Sequence, residues 1–99
     1  ISLYSSSKSA VNNLVKCYAK ELAPKNIRVN SLIIGHTNFG MGGKINKKLT
    51  RKQIKILEDK HPLGFGGYVD VLNSVKFLID GNSKWITGTN LVIDGGYLL

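Results

Sequence analysis

The sequence predicts an α/β fold, the second half of a doubly wound parallel sheet, in the order helix, strand, long loop with a helix, helix, strand. Three observations lead there. Apolar residues recur at the helical period over residues 3–23 and again over 69–80. Two short runs, 27–34 and 90–93, are β-branched and nearly continuous in apolarity, as in strands covered on both faces. Helical and strand-like segments alternate, which suits parallel strands joined by crossovers.

In the first helix Val11, Leu14, Val15, Tyr18 and Leu22 form one apolar stripe, and Ala10, Ala19 and Ala23 add helix propensity. Pro24 ends it, because the residue before a proline is pushed out of the α region. The strand at 27–34 closes on Gly35. In open parallel sheets ligands bind beyond the carboxyl ends of the strands, so the segment after Ile34 is the expected binding region. Residues 35–49 hold four glycines and no apolar period, and read as a long loop of the lid type. A short basic helix is expected near Thr50–Lys60, with Thr50 as N-cap and Ile54 and Leu57 inward. Residues 61–67 form a turn-rich link. Its glycines make no phosphate loop, since Gly64-x-Gly66 has Val69 at the third position and no strand before it. Gly40-x-Gly42 fails likewise at Ile45. The helix over 69–80 sets Val71, Leu72, Val75, Leu78 and Ile79 on one face and ends at Gly81-Asn82. The strand at 90–93 is followed by a turn at Asp94-Gly95-Gly96. Two strands cannot cover the faces of three helices, so the remaining strands are expected from a further segment or another chain.

Ninety-nine residues suit one small domain or a piece of a larger one. The start on Ile1, with a candidate motif close behind it, favours the C-terminal part of something longer. No apolar run approaches the roughly 20 residues of a membrane span, and no secretory signal pattern is present. The single Cys17 lies in a helical pattern and reads as a buried or partly buried thiol, which fits a reducing cytoplasm. The net charge of +8 raises nucleic acid or anionic lipid as partners. Between Lys44 and Lys60 seven Lys/Arg face only Glu58 and Asp59, but no aromatic residue interleaves with them, so base stacking is poorly supported. A solvated helix face is the preferred reading. A patch for a phosphorylated substrate or an acidic carrier protein is the second.

Tyr4 and Lys8 stand four residues apart at the head of the first helix. That places them on one face, separated by a rise of roughly 6 Å. A phenol normally holds its proton to about pH 10, and a nearby ammonium favours the phenolate, so such a pair can exchange a proton with a substrate. Such a spacing is common by chance, so alone it favours a surface tyrosine and a solvated lysine.

Other residues at matching intervals decide. Tyr4-x-x-x-Lys8 is followed by Pro24, Ile27-Arg28-Val29-Asn30 and Gly35, then His61-Pro62-Leu63-Gly64, Asp70-Val71, Ile86-Thr87-Gly88 and Val92-Ile93-Asp94-Gly95-Gly96. In this order and spacing the chain resembles the classical short-chain dehydrogenase/reductase family over essentially its whole length, most of all the 3-oxoacyl-carrier-protein reductases and related secondary-alcohol dehydrogenases. The resemblance implies that residues 1–99 are the C-terminal segment of one Rossmann-type domain binding NAD or NADP. Hydride would pass between the nicotinamide and a small-molecule carbonyl or alcohol, with carrier-linked acyl substrates included. By the same resemblance Tyr4 is the general acid/base and Lys8 holds the nicotinamide ribose and supports Tyr4. Gly35 and Thr37 contact cofactor, residues 36–61 form the substrate lid, and the first helix and last strand build a homodimer or tetramer. Nucleic acid, membrane and metal play no part in it.

The chain departs from the family at Ile34, where relatives usually carry proline, at Phe39, where threonine is frequent, and at Tyr68-Val69, where proline and an acidic residue are usual. The first two changes remove a fixed φ and a hydroxyl from the cofactor clamp. The family's glycine-rich phosphate turn, its catalytic serine and its helix-borne asparagine have no counterpart in these residues. His36 and His61 have no partner at metal-ligand spacing and read as surface or lid histidines. Ser5, Ser6 and Ser7 read as helix packing or capping residues, since no His/Asp arrangement supports a nucleophile. Two alternatives stand beside the enzyme: a non-catalytic truncated fragment that keeps only oligomer-forming and substrate-side surfaces, and a basic nucleic-acid-binding module.

Overall fold

The computed structural model describes residues 2–99, and the chain divides into two compact units. One comprises Ile1–Leu32 with Phe77–Leu91, the other Ile33–Lys76 with Val92–Leu99. The elements in order are α1 (Ser2–Leu22), β1 (Ser31–Ile34), α2 (Gly40–Asn46), α3 (Arg51–Asp59), α4 (Tyr68–Ile79) and β2 (Asn90–Ile93). β1 pairs with β2. In the first unit Ser31 N–H donates to the Thr89 carbonyl at 2.9 Å, and in the second Gly35 N–H donates to the Ile93 carbonyl at 3.0 Å. The two bonds advance together along both strands, which is the register of a parallel pair. The α/β class expected from the sequence is therefore the one observed.

In the first unit α1 turns inward through Asn12, Val15, Ala19 and Leu22. Val15 and Ala19 are the only buried hydrophobic side chains among the described residues. The anticipated stripe is thus rotated: Val11, Leu14 and Tyr18 are each half exposed. The reason is size. Hydrophobic periodicity weights large side chains, while the contact made here needs a small one, with Ala19 Cβ against the Gly88 turn. Cys17, expected inside, is exposed on the same outer side. Pro24 ends α1 as expected, and a 3₁₀ turn at Ala23–Lys25 closes on Asn26 in the left-handed region.

The strand begins later than its apolar pattern suggests, at Ser31 rather than 27, because residues 28–30 are spent on another job. Arg28 Nη1 donates to the Ile86 carbonyl at 3.0 Å and Nη2 to the Leu78 carbonyl at 2.6 Å. Asn30 Nδ2 donates to the same Ile86 carbonyl at 3.0 Å, and Thr89 N–H donates back to Asn30 Oδ1 at 3.1 Å. Val29 N–H donates to Thr87 Oγ1, and Gly88 N–H to the Val29 carbonyl. These bonds form a clamp between Arg28–Asn30 and Ile86–Thr89. Leu78 lies in the last turn of α4, so the guanidinium also meets a helix end whose dipole favours a cation. Ser83, nearly fully buried, donates to the Leu78 and Asp80 carbonyls and completes the helix end.

In the second unit the presumed loop 35–49 contains a helix, α2, despite glycines at 40, 42 and 43. Glycine is a poor helix former, so propensity hid it. The geometry explains its use: a Cβ on Gly42 would collide with the Thr37 carbonyl, and Gly42 is buried there. α3 matches its expected span. Thr50 Oγ1 accepts from Gln53 N–H at 3.2 Å while Gln53 Oε1 accepts from Thr50 N–H at 2.9 Å, a reciprocal capping box. Ile54 and Leu57 are its half-buried residues, as anticipated. On its outer face Lys55 pairs with Asp59 at 2.9 Å, and that carboxylate holds the Lys55 ammonium above its usual range. α4 starts at Tyr68 with Asp70 Oδ2 accepting from Gly67 N–H at 2.7 Å, so the helix is capped without the family's proline and acidic pair. The half-buried line of α4 is Val71, Ser74 and Leu78, whereas Leu72, Val75 and Ile79 are exposed, contrary to the expected face. After β2 the Asp94 carboxylate accepts from Gly96 N–H at 2.8 Å and from Leu98 N–H at 3.1 Å. It is a turn-former of the Asx type. No helix of the described residues is long and apolar enough to cross a membrane.

Candidate active site

Tyr4 and Lys8 lie in the first unit, one turn apart near the start of α1. Helical spacing brings them together as expected: Lys8 Nζ stands 5.4 Å from the centroid of the Tyr4 ring. Both are exposed, Tyr4 at 62%. Ser7 Oγ donates to the Tyr4 carbonyl at 2.7 Å, so this serine is engaged with its own helix, in keeping with a packing role.

Gly35 and Thr37 lie in the second unit, beyond the carboxyl end of β1. Gly35 has a steric reason of its own. A Cβ there would stand 2.7 Å from Asp94 Cα, so the ends of β1 and β2 can approach only if this residue has no side chain. Thr37 forms a parallel bridge with Gly66, and its hydroxyl donates to the Phe39 carbonyl at 3.0 Å. Phe39 is the N-cap of α2 and supplies no side-chain acceptor, which is what a threonine there would have offered. Ile34, Gly35, His36 and Thr37 line one wall of a cavity of about 330 Å³. Gly64–Gly66, the N-terminal half of α4 and Ile93–Gly95 complete it. The volume lies at the small end of the range for sites that hold small molecules.

The surface reading of His61 is corrected by its burial. His61 is not a surface residue: it is 4% exposed. Its Nδ1 lies 2.9 Å from the Leu57 carbonyl in α3, and its Nε2 accepts from His36 N–H at 3.4 Å. A carbonyl can only accept, so Nδ1 carries the proton and Nε2 is the free acceptor. His36 is half buried, with Nε2 2.8 Å from Asn46 Oδ1 at the end of α2. Phe65 and Tyr97 pack on these rings, with Tyr97 stacked on His61 at 4.8 Å and Phe65 tilted against His36 at 4.6 Å. No local pattern pointed to this cluster. Its members are drawn from positions 36, 61, 65 and 97, and only Pro62 beside His61 hinted at a fixed turn. Among the described residues no group of three or more His, Cys, Asp or Glu side chains gathers as a metal site.

Comparison with known proteins adds four findings. A family model described as enoyl-(acyl carrier protein) reductase matches residues 1–98. Carbonyl reductase [NADPH] 2 of Sus scrofa is 37% identical over 99% of this chain and 40% of its own length. The 3-oxoacyl-[acyl-carrier-protein] reductase of Bos taurus is 38% identical over 99% of this chain and 38% of its own. The crystal structure of a short chain dehydrogenase family protein from Francisella tularensis superposes with a TM-score of 0.85 at 29% identity, covering 96% of this chain and 43% of that one. The chain thus spans about 40% of the length of the curated relatives it matches.

Proposed function

The chain belongs to the short-chain dehydrogenase/reductase family, and from that premise we propose that the protein carrying it is an oxidoreductase acting between NAD(H) or NADP(H) and a carbonyl or secondary alcohol. The observation that supports it most is the exposed phenol of Tyr4 with the Lys8 ammonium beside its ring. The nicotinamide, when bound, supplies or accepts the hydride. Tyr4 Oη gives its proton to the carbonyl oxygen during reduction and takes it from the alcohol during oxidation. Lys8, beside the Tyr4 ring, offers N–H donors to the ribose hydroxyls. In the second unit, Gly35 and Thr37 border a cavity at the carboxyl ends of parallel strands, where such folds place their ligands. We assign residues 36–61, with α2 and α3, to a substrate lid. The half-exposed Val11, Leu14 and Tyr18 on α1 suit contact with a second subunit of a homodimer or tetramer. Substrates are small carbonyl or alcohol compounds, carrier-linked acyl groups included.

Tyr4→Phe and Lys8→Ala in the full protein test this. Each is expected to lower turnover of a carbonyl substrate with NAD(P)H by about a hundredfold or more, the usual worth of positioned proton transfer. If neither variant slows reduction, the assignment is wrong.

One observation favours the alternative of a fragment without activity of its own: only Val15 and Ala19 are buried among the described hydrophobic side chains. Residues 1–99 alone are expected to bind no NADPH at micromolar concentration by fluorescence titration, and micromolar binding would contradict that reading.

A further inference from the structure

The mechanism above leaves unused the one buried titratable side chain among the described residues, His61. We propose that His61 is a positioning residue that ties the strand-end loop Gly35–Thr37 to α3. The proposal rests on the reading of that loop as the nicotinamide contact and of α2 and α3 as the lid.

One imidazole spans two elements. Its Nδ1–H is spent on the Leu57 carbonyl in the last turn of α3, at 2.9 Å. Its Nε2 lone pair meets the His36 N–H, one residue after Gly35 and one before Thr37, at 3.4 Å. Tyr97 stacks on the ring at 4.8 Å and Phe65 packs T-shaped against it at 5.4 Å, and exchanging the two ring nitrogens would lose both bonds. His36 is fastened a second time, through its own ring to Asn46 at the end of α2. Both helices of the assigned lid therefore reach the same loop residue, one through a side chain and one through the backbone. A phenylalanine would keep an aromatic ring in that place but supply neither an acceptor nor a donor. What the imidazole adds is an acceptor for a backbone N–H in the loop and a donor for the helix. A displacement of α3 moves the ring, and with it the peptide between Gly35 and His36.

Three variants of the full protein separate the two bonds. His61→Gln sets an amide oxygen near the Nε2 position and keeps the acceptor for His36. His61→Asn sets an amide nitrogen near Nδ1 and keeps only the donor to Leu57. His61→Phe keeps an aromatic ring, a somewhat larger one, and loses both bonds. The Kd for NAD(P)H by fluorescence is expected to rise about fivefold to tenfold in His61→Phe and His61→Asn, the worth of one net hydrogen bond, and to stay within about twofold in His61→Gln. A merely structural role predicts instead that Kd does not follow the acceptor. Equal Kd values for the Gln and Asn variants, or wild-type binding by His61→Phe, would overturn the proposal. ¹⁵N NMR of the unmodified protein gives a check independent of variant folding: His61 is expected as the Nδ1–H tautomer, and the Nε2–H tautomer would also overturn it. Tyr4→Phe, run alongside, keeps the two ideas apart. Undiminished turnover in Tyr4→Phe with the expected His61 ranking removes the proton-transfer assignment alone, whereas loss of turnover in Tyr4→Phe with no His61 effect on Kd removes this proposal alone.

Discussion

Replacing Arg28 with alanine probes the clamp that joins the segment before β1 to the segment before β2. The guanidinium makes two short bonds, to the Leu78 and Ile86 carbonyls at 2.6 and 3.0 Å, and a marginal third to Asp80 at 3.5 Å. Bonds from a charged donor are worth about 1.5–3 kcal/mol each. Neither main carbonyl is orphaned by the change, since Ser83 Oγ still donates to Leu78 and Asn30 Nδ2 to Ile86. The penalty for a bare buried acceptor is therefore avoided. The expected loss is about 2–3 kcal/mol, at or below the lower end of what two such bonds could give, because the site is only partly buried. The sharper test is a cycle with Asn30→Ala. Both side chains serve the Ile86 carbonyl, so removing both leaves it without a donor, and the double variant should lose about 1 kcal/mol more than the sum of the singles. Urea unfolding of the full protein, followed by circular dichroism, measures all four corners. A change below about 0.5 kcal/mol for Arg28→Ala, or strict additivity in the cycle, would show that the clamp does not hold the segments together.

Two further substitutions follow from the geometry. Gly35→Ala places a Cβ 2.7 Å from Asp94 Cα, a contact with backbone that cannot swing aside, so a loss of about 1–3 kcal/mol is expected together with weaker NAD(P)H binding; unchanged thermal unfolding would argue against the close approach. Thr50→Ala removes one half of the α3 capping box and should cost about 1 kcal/mol by the same unfolding assay, with Thr50→Ser restoring most of it.

The parts of the fold legible in the sequence are those fixed by local physics. α1, α3 and α4 declared themselves by period, by Pro24 and by Thr50, and β2 by its run of Leu91, Val92 and Ile93. Misreadings arose where a distant partner set the outcome. Residues 28–30 look like strand, but their polar groups are taken up by Ile86–Thr89. α2 looks like loop because the glycine that lets it pack on Thr37 also lowers its propensity. The inward face of α1 is set by Ala19, whose small side chain weighs little in any apolar pattern. At the candidate site, Tyr4 and Lys8 could be paired from spacing because one helix carries both. His61 could not be paired with His36, since the bond spans 25 residues and two helices.

The clamp has a consequence for how freely this chain can change length. Arg28 and Ile86 are 58 positions apart, and the whole of α2 and α3 lies within the loop they close. The entropy of closing a loop grows only with the logarithm of its length. Roughly six residues added between Gly35 and Thr50 would raise the closure cost by about 0.1 kcal/mol, far less than the bonds of the clamp contribute. Such additions leave the anchor points untouched while reshaping what lies between them. The region assigned to substrate contact thus lies inside a loop whose closure entropy is nearly indifferent to its length, so the clamp itself sets no limit on altering that length.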